Sequence, residues 1–385
     1  MGIAVVFLPG VMGSTLFDNR NKVWPSYNLI LRGTNSRFAA NFMNPSFPFD
    51  AKGLIEDKEM AIVLGIPSIN GYTKTRKFFN DNGFAILEKK TGWVIQPGSP
   101  TDKLFFEYPY DWRLDLRNSA DLLHTFIQDT VLGFGANTEI YLVAHSMGGL
   151  LSRTYLKRHR VLPNIKKQIL IGTPNHGSPK AYVALRDGRG LLSTAPVLRN
   201  YPKNLNVLIH NLPGIYQLLP DERYGQYFGN YEPLVYVGSK PENSIRGTYI
   251  AGDPTSTIYP SSPEKALKHY ALNNNTLVED ALKFHKDELG RNSFLAGKTY
   301  VIYSTELETI NGLNYGTRPG RKGSFRWLHN GDETVTERSA YDLEGLVDTA
   351  NMKPNPLFTR RFSELSHTEI QWKRIVLRCV LELIQ

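Results

Sequence analysis

The stretch Glu139-Ile140-Tyr141-Leu142-Val143-Ala144-His145-Ser146-Met147-Gly148-Gly149-Leu150 constrains this chain more than any other. An apolar, β-branched run enters Ser146 directly, and a helical pattern leaves it directly. The pattern is Gly-x-Ser-x-Gly with Ala144 in place of the first glycine. A turn this sharp needs small residues two before and two after the serine, and Ala144 and Gly148 meet that need. Such a turn lifts the hydroxyl above the carboxyl edge of a sheet, at a helix N-terminus whose partial positive charge can stabilise an oxyanion. A five-residue match is common by chance. The strand and helix signals on both sides make Ser146 a candidate nucleophile rather than a serine in an ordinary turn.

The rest of the chain repeats the strand-helix alternation. Short apolar runs at Ile3 to Leu8, Leu104 to Phe106, Ile140 to Ala144, Ile169 to Ile171 and Tyr300 to Tyr303 read as buried strands. Asn118-Ser119 predicts a helix cap, with a helix to about Leu132 burying Leu122, Leu123, Phe126 and Ile127. Near the C-terminus, Trp372, Ile375, Val376, Cys379, Val380 and Leu383 form an apolar stripe, begun by a capping-box pattern at Thr368 and Gln371. Cys379 lies on that stripe and reads as packing. The expected class is α/β, a mostly parallel sheet flanked by helices. Residues from about Phe17 to Pro100 carry only weak strand signals. The alternation breaks from about Pro179 to Gly297, which reads as a cap or lid (179–297) inserted between two core parts (1–178 and 298–385).

Composition removes several classes. With 41% apolar and 21% charged residues the chain is neither disordered nor fibrous. The single Cys379 excludes an intrachain disulfide and a cysteine metal cluster, and no cofactor or metal is expected. The formal charge of +9 permits attraction to phosphate-bearing surfaces, but no recognition motif points to nucleic acid. Two basic clusters could meet an anionic membrane surface: Arg153, Lys157, Arg158 and Arg160, and Arg318, Arg321, Lys322 and Arg326. The first falls along a helix and reads more simply as a solvated face. No apolar run approaches bilayer length, and Pro9-Gly10 interrupts the apolar N-terminus. The expected location is cytoplasmic, with signal-independent export left open. Nothing in the sequence speaks to the oligomeric state.

A serine hydroxyl needs a base, and the base needs a carboxylate to orient it. In a strand-elbow-helix enzyme of this kind the chain order is serine, acid, histidine. His124 and His145 precede Ser146. His159, His176, His210, His269, His285 and His329 precede the best acid, and His367 alone follows it. The acid candidate is Asp332 in Asn330-Gly331-Asp332-Glu333-Thr334-Val335, where the glycine permits a tight turn. Glu333, Glu337, Asp342, Glu344 and Asp348 compete, and a turn aspartate can simply bond its own backbone. An oxyanion hole needs two N–H groups. Met147 offers one, and Val11, in the loop Pro9-Gly10-Val11-Met12-Gly13-Ser14 after the first strand, offers the other unless that loop is an ordinary turn.

Four segments resemble the lecithin–cholesterol acyltransferase-like family of α/β-hydrolases: Leu8 to Leu16, Tyr110-Asp111-Trp112-Arg113-Leu114, Ala144 to Gly149 and Gly331 to Ser339. A fifth, Gly172 to Ser178, is similar to the loop after the strand that follows the nucleophile. The Tyr-Asp-Trp-Arg and Gly-Asp-Glu-Thr-Val runs are the specific ones. The resemblance implies an α/β-hydrolase fold, Ser146, Asp332 and His367 as a triad, and Val11 with Met147 as oxyanion donors. Asp111 and Arg113 read as structural anchors around Trp112.

The resemblance further implies acyl esters, lipid or phospholipid, as substrates. Leu191, Leu192, Ile215, Tyr216, Leu218, Leu219, Tyr227 and Phe228 could line an acyl site or simply form the insertion's own core. Three readings stand: a serine esterase of lipase or phospholipase type, an acyltransferase using an alcohol acceptor, and a catalytically silent binding module.

Overall fold

The computed structural model describes residues 2–26, 29, 39–59, 71–187, 207–221, 224, 235–237, 272, 274–290, 297–315, 324–343, 347–348 and 353–385. Its strands are β1 (Ile3–Leu8), β2 (Ser14–Asp18), β3 (Asn21–Trp24), β4 (Asp50–Leu54), β5 (Ala85–Glu88), β6 (Lys103–Glu107), β7 (Glu139–His145), β8 (Ile165–Ile171), β9 (Val235–Val237), β10 (Thr299–Thr305), β11 (Leu307–Tyr315), β12 (Ser324–Gly331), β13 (Val347–Asp348), β14 (Lys353–Pro354) and β15 (Thr359–Ser363). Helices are α1 (Ala39–Met43), α2 (Thr73–Asp81), α3 (Leu116–Phe126), α4 (Met147–Arg158), α5 (Pro179–Asp187), α6 (Pro213–Tyr216), α7 (Asn275–Glu288), α8 (Glu337–Tyr341) and α9 (Arg374–Ile384).

Seven strands form one parallel sheet in the order β15-β10-β8-β7-β1-β6-β5. Strand alternation explains why its central strands read as unbroken apolar runs. Ala4, Val6 and Leu8 of β1 join one core with Ile140, Leu142 and Ala144 of β7. Val5 and Phe7 point the other way and join Tyr141 and Val143 in a second core. Leu116, Ala120 and Leu123 of α3 and Leu150 and Leu151 of α4 cover the first face. Phe79 of α2 and Val376, Leu377, Val380 and Ile384 of α9 cover the second. A parallel strand buried on both faces has no polar side to show. The expected class, a mostly parallel sheet flanked by helices, is the one observed.

The chain leaves β1 for the β5–β6 side of the sheet, then returns to β7 on the other side of β1. Strand order reverses between these neighbours, and crevices at such points lie beyond the carboxyl ends of the strands. Leu8 and Ala144 pair there, at the ends of β1 and β7.

Several local expectations shift. The cap of α3 is Asp115, whose carboxylate accepts the Arg117 N–H at 2.8 Å, not Asn118 or Ser119. Leu122 consequently faces solvent, and the chain continues as a π-helix from Ile127 to Val131. Thr368 does not cap α9, which begins only after Lys373. Instead Glu369 accepts the Ser366 N–H at 3.2 Å and the Ser366 hydroxyl at 3.0 Å. The stripe turns accordingly: Leu377 is buried and Ile375 exposed. Cys379 is partly buried and packs against the second core.

The weakly patterned region after Phe17 contains the antiparallel sheet β3-β2-β4 and the edge strand β5 of the main sheet. In the expected insertion, α7 packs against α6 and α4. Arg117 of α3 reaches Asp280 and Glu288 of α7 at 3.0 and 3.5 Å. Ile215, Tyr216, Leu218 and Leu219 are buried in the first core, whereas Leu191, Leu192, Tyr227 and Phe228 lie outside the described residues. The basic cluster on α4 is not a single solvated face. Arg153 is buried, with its guanidinium on the Asn175 carbonyl and side chain and on the Leu289 carbonyl. Arg158 pairs with Asp121 and Glu288. Arg318, Arg321 and Lys322, with the side chain of Arg326, lie outside the described residues, as do Glu344 and His269. Among the described residues, no helix is long and apolar enough to cross a membrane.

Candidate active site

Ser146 sits between β7 and α4 at φ 54°, ψ −125°, outside the ordinary regions for an L residue. Such a residue stores on the order of 1–3 kcal/mol of strain and needs surroundings that hold it. Its N–H donates to Ile171 O at 2.9 Å, and its carbonyl accepts the Gly149 N–H at 2.9 Å. The helix then presses against its neighbours. A Cβ at Gly148 would lie 2.4 Å from Leu8 O, and one at Gly149 would lie 2.0 Å from Thr173 Oγ1. Nothing larger than glycine fits those contacts without movement.

The three residues singled out by order and motif meet here. His367 Nε2 is 2.8 Å from Ser146 Oγ, and His367 Nδ1 is 2.7 Å from Asp332 Oδ2. Asp332 follows β12, so the β11–β12 hairpin separates it from β10. Both readings of this aspartate hold at once. Oδ1 accepts the Val335 and Thr334 N–H groups at 2.7 and 3.1 Å, as a turn aspartate does. Oδ2 remains for the histidine. Lys180 stands beside this turn, its Nζ donating to Thr334 Oγ1 at 3.0 Å, and burial pushes its pKa down while Asp332 and Glu333 oppose the shift.

Apart from His145, which adjoins His367, the other described histidine side chains are engaged elsewhere. His176 pairs with Asp221 at 2.7 Å and bonds Asp342 O at 2.6 Å. His285 bonds Gln217 O, and burial pushes its pKa down to about 4. His124 stacks on His159 with ring centroids 4.2 Å apart, and His210 bonds Leu185 O. Of the competing acids, Glu337 bonds Thr305 Oγ1 at 3.2 Å.

The loop after β1 lies directly on the serine. A Cβ at Gly10 would fall 2.9 Å from Ser146 Cβ. Three aromatic side chains hold this loop. Tyr110 Oη donates to Pro9 O at 3.0 Å, Trp24 Nε1 donates to Met12 O at 2.9 Å, and Tyr72 Oη accepts the Gly10 N–H at 2.8 Å. Among the described residues the N–H groups of Val11 and Met147 have no acceptor. Sequence reasoning missed Trp24 and Tyr72, which carry no motif; Tyr110 falls within a quoted one. Asp111 and Arg113 are structural. Arg113, fully buried, donates to Asp111 at 2.9 and 2.6 Å and to the carbonyls of Phe42 and Phe47 at 2.8 and 2.9 Å. Trp112 packs between, edge-on to Trp24 and Phe42. Among the described residues no group of His, Cys, Asp or Glu side chains could hold a metal ion.

A parallel seven-stranded sheet with a strained serine between strand and helix at its switch point is an α/β-hydrolase fold. The profile of the lecithin:cholesterol acyltransferase family matches residues 65–294, more than half of the chain. The chain belongs to that family, and membership supports a lipid-ester hydrolase or an acyltransferase without fixing the reaction. The match spans Ser146 but ends before Asp332 and His367. No curated protein sequence matches the chain. Among solved structures, a chain of the Tle4-Tli4 complex superposes with a TM-score of 0.63 at 17% identity, covering 100% of this chain and 99% of that one. Lipase BlEst2 of Bacillus licheniformis in its mature form gives 0.39 at 12% identity, covering 100% and 92%. Phospholipase PlaB from Legionella pneumophila gives 0.24 at 14%, covering 48% and 27%. At these identities the first likeness speaks for the fold alone, and the other two are too loose to add to it.

Proposed function

We propose that the protein is a serine hydrolase of lipid acyl esters. The observation that carries this reading is the unbroken hydrogen-bond chain from Ser146 Oγ through His367 to the Asp332 carboxylate, at 2.8 and 2.7 Å. In this reading His367 Nε2 takes the serine proton as Oγ attacks the ester carbonyl. The oxyanion is received by the N–H groups of Val11 and Met147. His367 then protonates the departing alcohol, leaving an acyl-enzyme on Ser146. Water, deprotonated by the same imidazole, attacks the acyl carbon and releases the acid. Asp332 holds the ring with Nδ1–H toward its carboxylate and balances the charge that forms on it.

The family match also favours a second reading, transfer of the acyl group to an alcohol, because the acyl-enzyme is common to both. A labelled ester turned over with and without an alcohol acceptor separates them: labelled acid alone fits hydrolysis, labelled new ester fits transfer. Residues 179–297 act as the cap beside this site. Supporting contacts are the Gly214 N–H on Arg113 O at 3.0 Å and the Gln217 side chain on the Leu116 N–H at 2.8 Å. Peripheral docking on anionic lipid belongs to the same proposal, and co-sedimentation with anionic against zwitterionic vesicles tests it. The reaction itself is tested by a panel of phospholipids and short esters with wild type and Ser146→Ala in parallel. Full activity of Ser146→Ala on every ester overturns the reading.

A further inference from the structure

A second buried imidazole adjoins the reacting pair and has no part in the steps above. His145 closes β7, one residue before Ser146, and its ring centroid lies 5.0 Å from that of His367. His145 Nε2 is 2.9 Å from the carbonyl oxygen of His367. A carbonyl only accepts, so Nε2 carries the proton. Nδ1 is therefore bare, and Tyr72 Oη donates to it across 3.0 Å. Tyr72 Oη in turn accepts the Gly10 N–H at 2.8 Å. An amide at one end and a carbonyl at the other fix the direction of every proton between them. Burial, with the nearby His367 adding to it, pushes the His145 pKa down to about 3. The ring stays neutral, as this chain of donors requires.

We propose that His145 and Tyr72 are positioning residues, forming one brace between the loop that presents the Val11 N–H and the loop that presents His367. The proposal rests on the serine-hydrolase reading above. The brace acts on the peptide next to the donor's: the Gly10 N–H lies in the Pro9–Gly10 unit, and the Val11 N–H in the Gly10–Val11 unit that follows. Tyr72 fixes the Gly10 N–H, and the Gly13 N–H fixes the Gly10 carbonyl at 3.0 Å. Val11 N–H belongs to the same peptide plane as that carbonyl and points opposite to it. At the other end His367 is gripped through its own backbone oxygen, beside the Asp332 carbonyl that accepts its N–H at 2.7 Å. The oxyanion donor and the base are thus referred to one rigid side chain next to the nucleophile. Donors aimed before the reaction begins are what stabilise a developing oxyanion, and small displacements of catalytic groups are costly in rate.

The test compares wild type, Tyr72→Phe, His145→Gln, their double variant, Ser146→Ala and Ser152→Ala. Two rates are measured, labelling by a fluorophosphonate and turnover of p-nitrophenyl butyrate, at a temperature where all variants are folded. Ser152→Ala removes a buried bond to Gln168 that shares no residue with the brace, and it keeps the wild-type rates. Tyr72→Phe and His145→Gln each lower labelling and kcat by about tenfold or more, with KM within about twofold. The double variant is no slower than the worse single, because one brace is broken once. Singles that label at the wild-type rate, while Ser146→Ala stays unlabelled, overturn the brace and leave the nucleophile standing. Losses that multiply in the double variant also overturn it, since they describe two independent packing defects. Labelling of Ser146→Ala at the wild-type rate removes the ground for both proposals.

Discussion

Asp332 holds His367 at two points: its carboxylate lies 2.7 Å from Nδ1, and its backbone carbonyl accepts the His367 N–H at 2.7 Å. The two grips separate chemistry from folding. Asp332→Asn keeps the backbone bond and keeps an oxygen for the Thr334 and Val335 N–H groups, but removes the charge behind the imidazole. We expect kcat on an ester substrate to fall by about 10⁴ while the melting temperature stays near wild type. Steady-state kinetics beside a circular-dichroism melt check this. A loss of activity that follows unfolding contradicts it.

Gly149 is set against Thr173 so closely that a methyl group has no room, with Thr173 Oγ1 2.0 Å from the position of a Cβ. Gly149→Ala should destabilise the fold by about 1–3 kcal/mol through overpacking. Adding Thr173→Ala should recover part of that loss, because Oγ1 and Cγ2 are removed and only the Thr173 Cβ, 2.7 Å away, remains. Urea unfolding of the two variants is the measurement, and equal instability of single and double would locate the strain elsewhere.

His145 predicts a pH dependence of stability. Its folded pKa is pushed from the usual 6.5 down to about 3, first by burial and then by His367. Between those values the unfolded chain binds a proton that the folded chain does not. Stability therefore rises with pH across this window and is lost as pH falls through it, by up to about 1.4 kcal/mol per unit. His145→Gln has no such proton to take up. Its unfolding free energy should decline less steeply than wild type between pH 6.5 and 4, the difference approaching one proton. Parallel slopes would contradict a neutral buried imidazole.

Arg113 is fully buried and spends its donors on Asp111 and on the carbonyls of Phe42 and Phe47. Arg113→Ala leaves the Asp111 carboxylate buried without its partner, a loss of about 3–5 kcal/mol. Chemical denaturation should record it. A cost below about 1 kcal/mol would mean that the Tyr-Asp-Trp-Arg segment is not the anchor described.

The parts of the fold that were legible in the sequence share one physical trait. Strands β1, β6, β7, β8 and β10 are covered on both faces where they cross the core, so each contains a short apolar run, such as Leu104 to Phe106 in β6 and Ile169 to Ile171 in β8. The edge strands were not legible. In β15, Thr-Arg-Arg-Phe-Ser, only Thr359 is buried and the arginines stand in solvent, while β5 has four residues of alternating burial. Helix limits failed where a side chain acted locally. Asp115 caps α3 three residues ahead of Asn118, and the turn at Ser366 and Glu369 delays α9, which rotates its stripe so that Leu377 replaces Ile375 inside. Ser146, Asp332 and His367 could be chosen from motif and chain order because such chemistry demands those residue types. Tyr72 could not. Its contact with His145 spans 73 residues and exists only because α2 packs on the face of the sheet where β7 ends.

The most direct measurement is the site of covalent capture. A fluorophosphonate reacts with a serine only where a base withdraws its proton and donors receive the new anion. The account predicts one adduct, mapped by mass spectrometry to the peptide containing Ser146, absent in Ser146→Ala and formed far more slowly in His367→Gln. An adduct on any other residue, or undiminished ester turnover by Ser146→Ala, would contradict it.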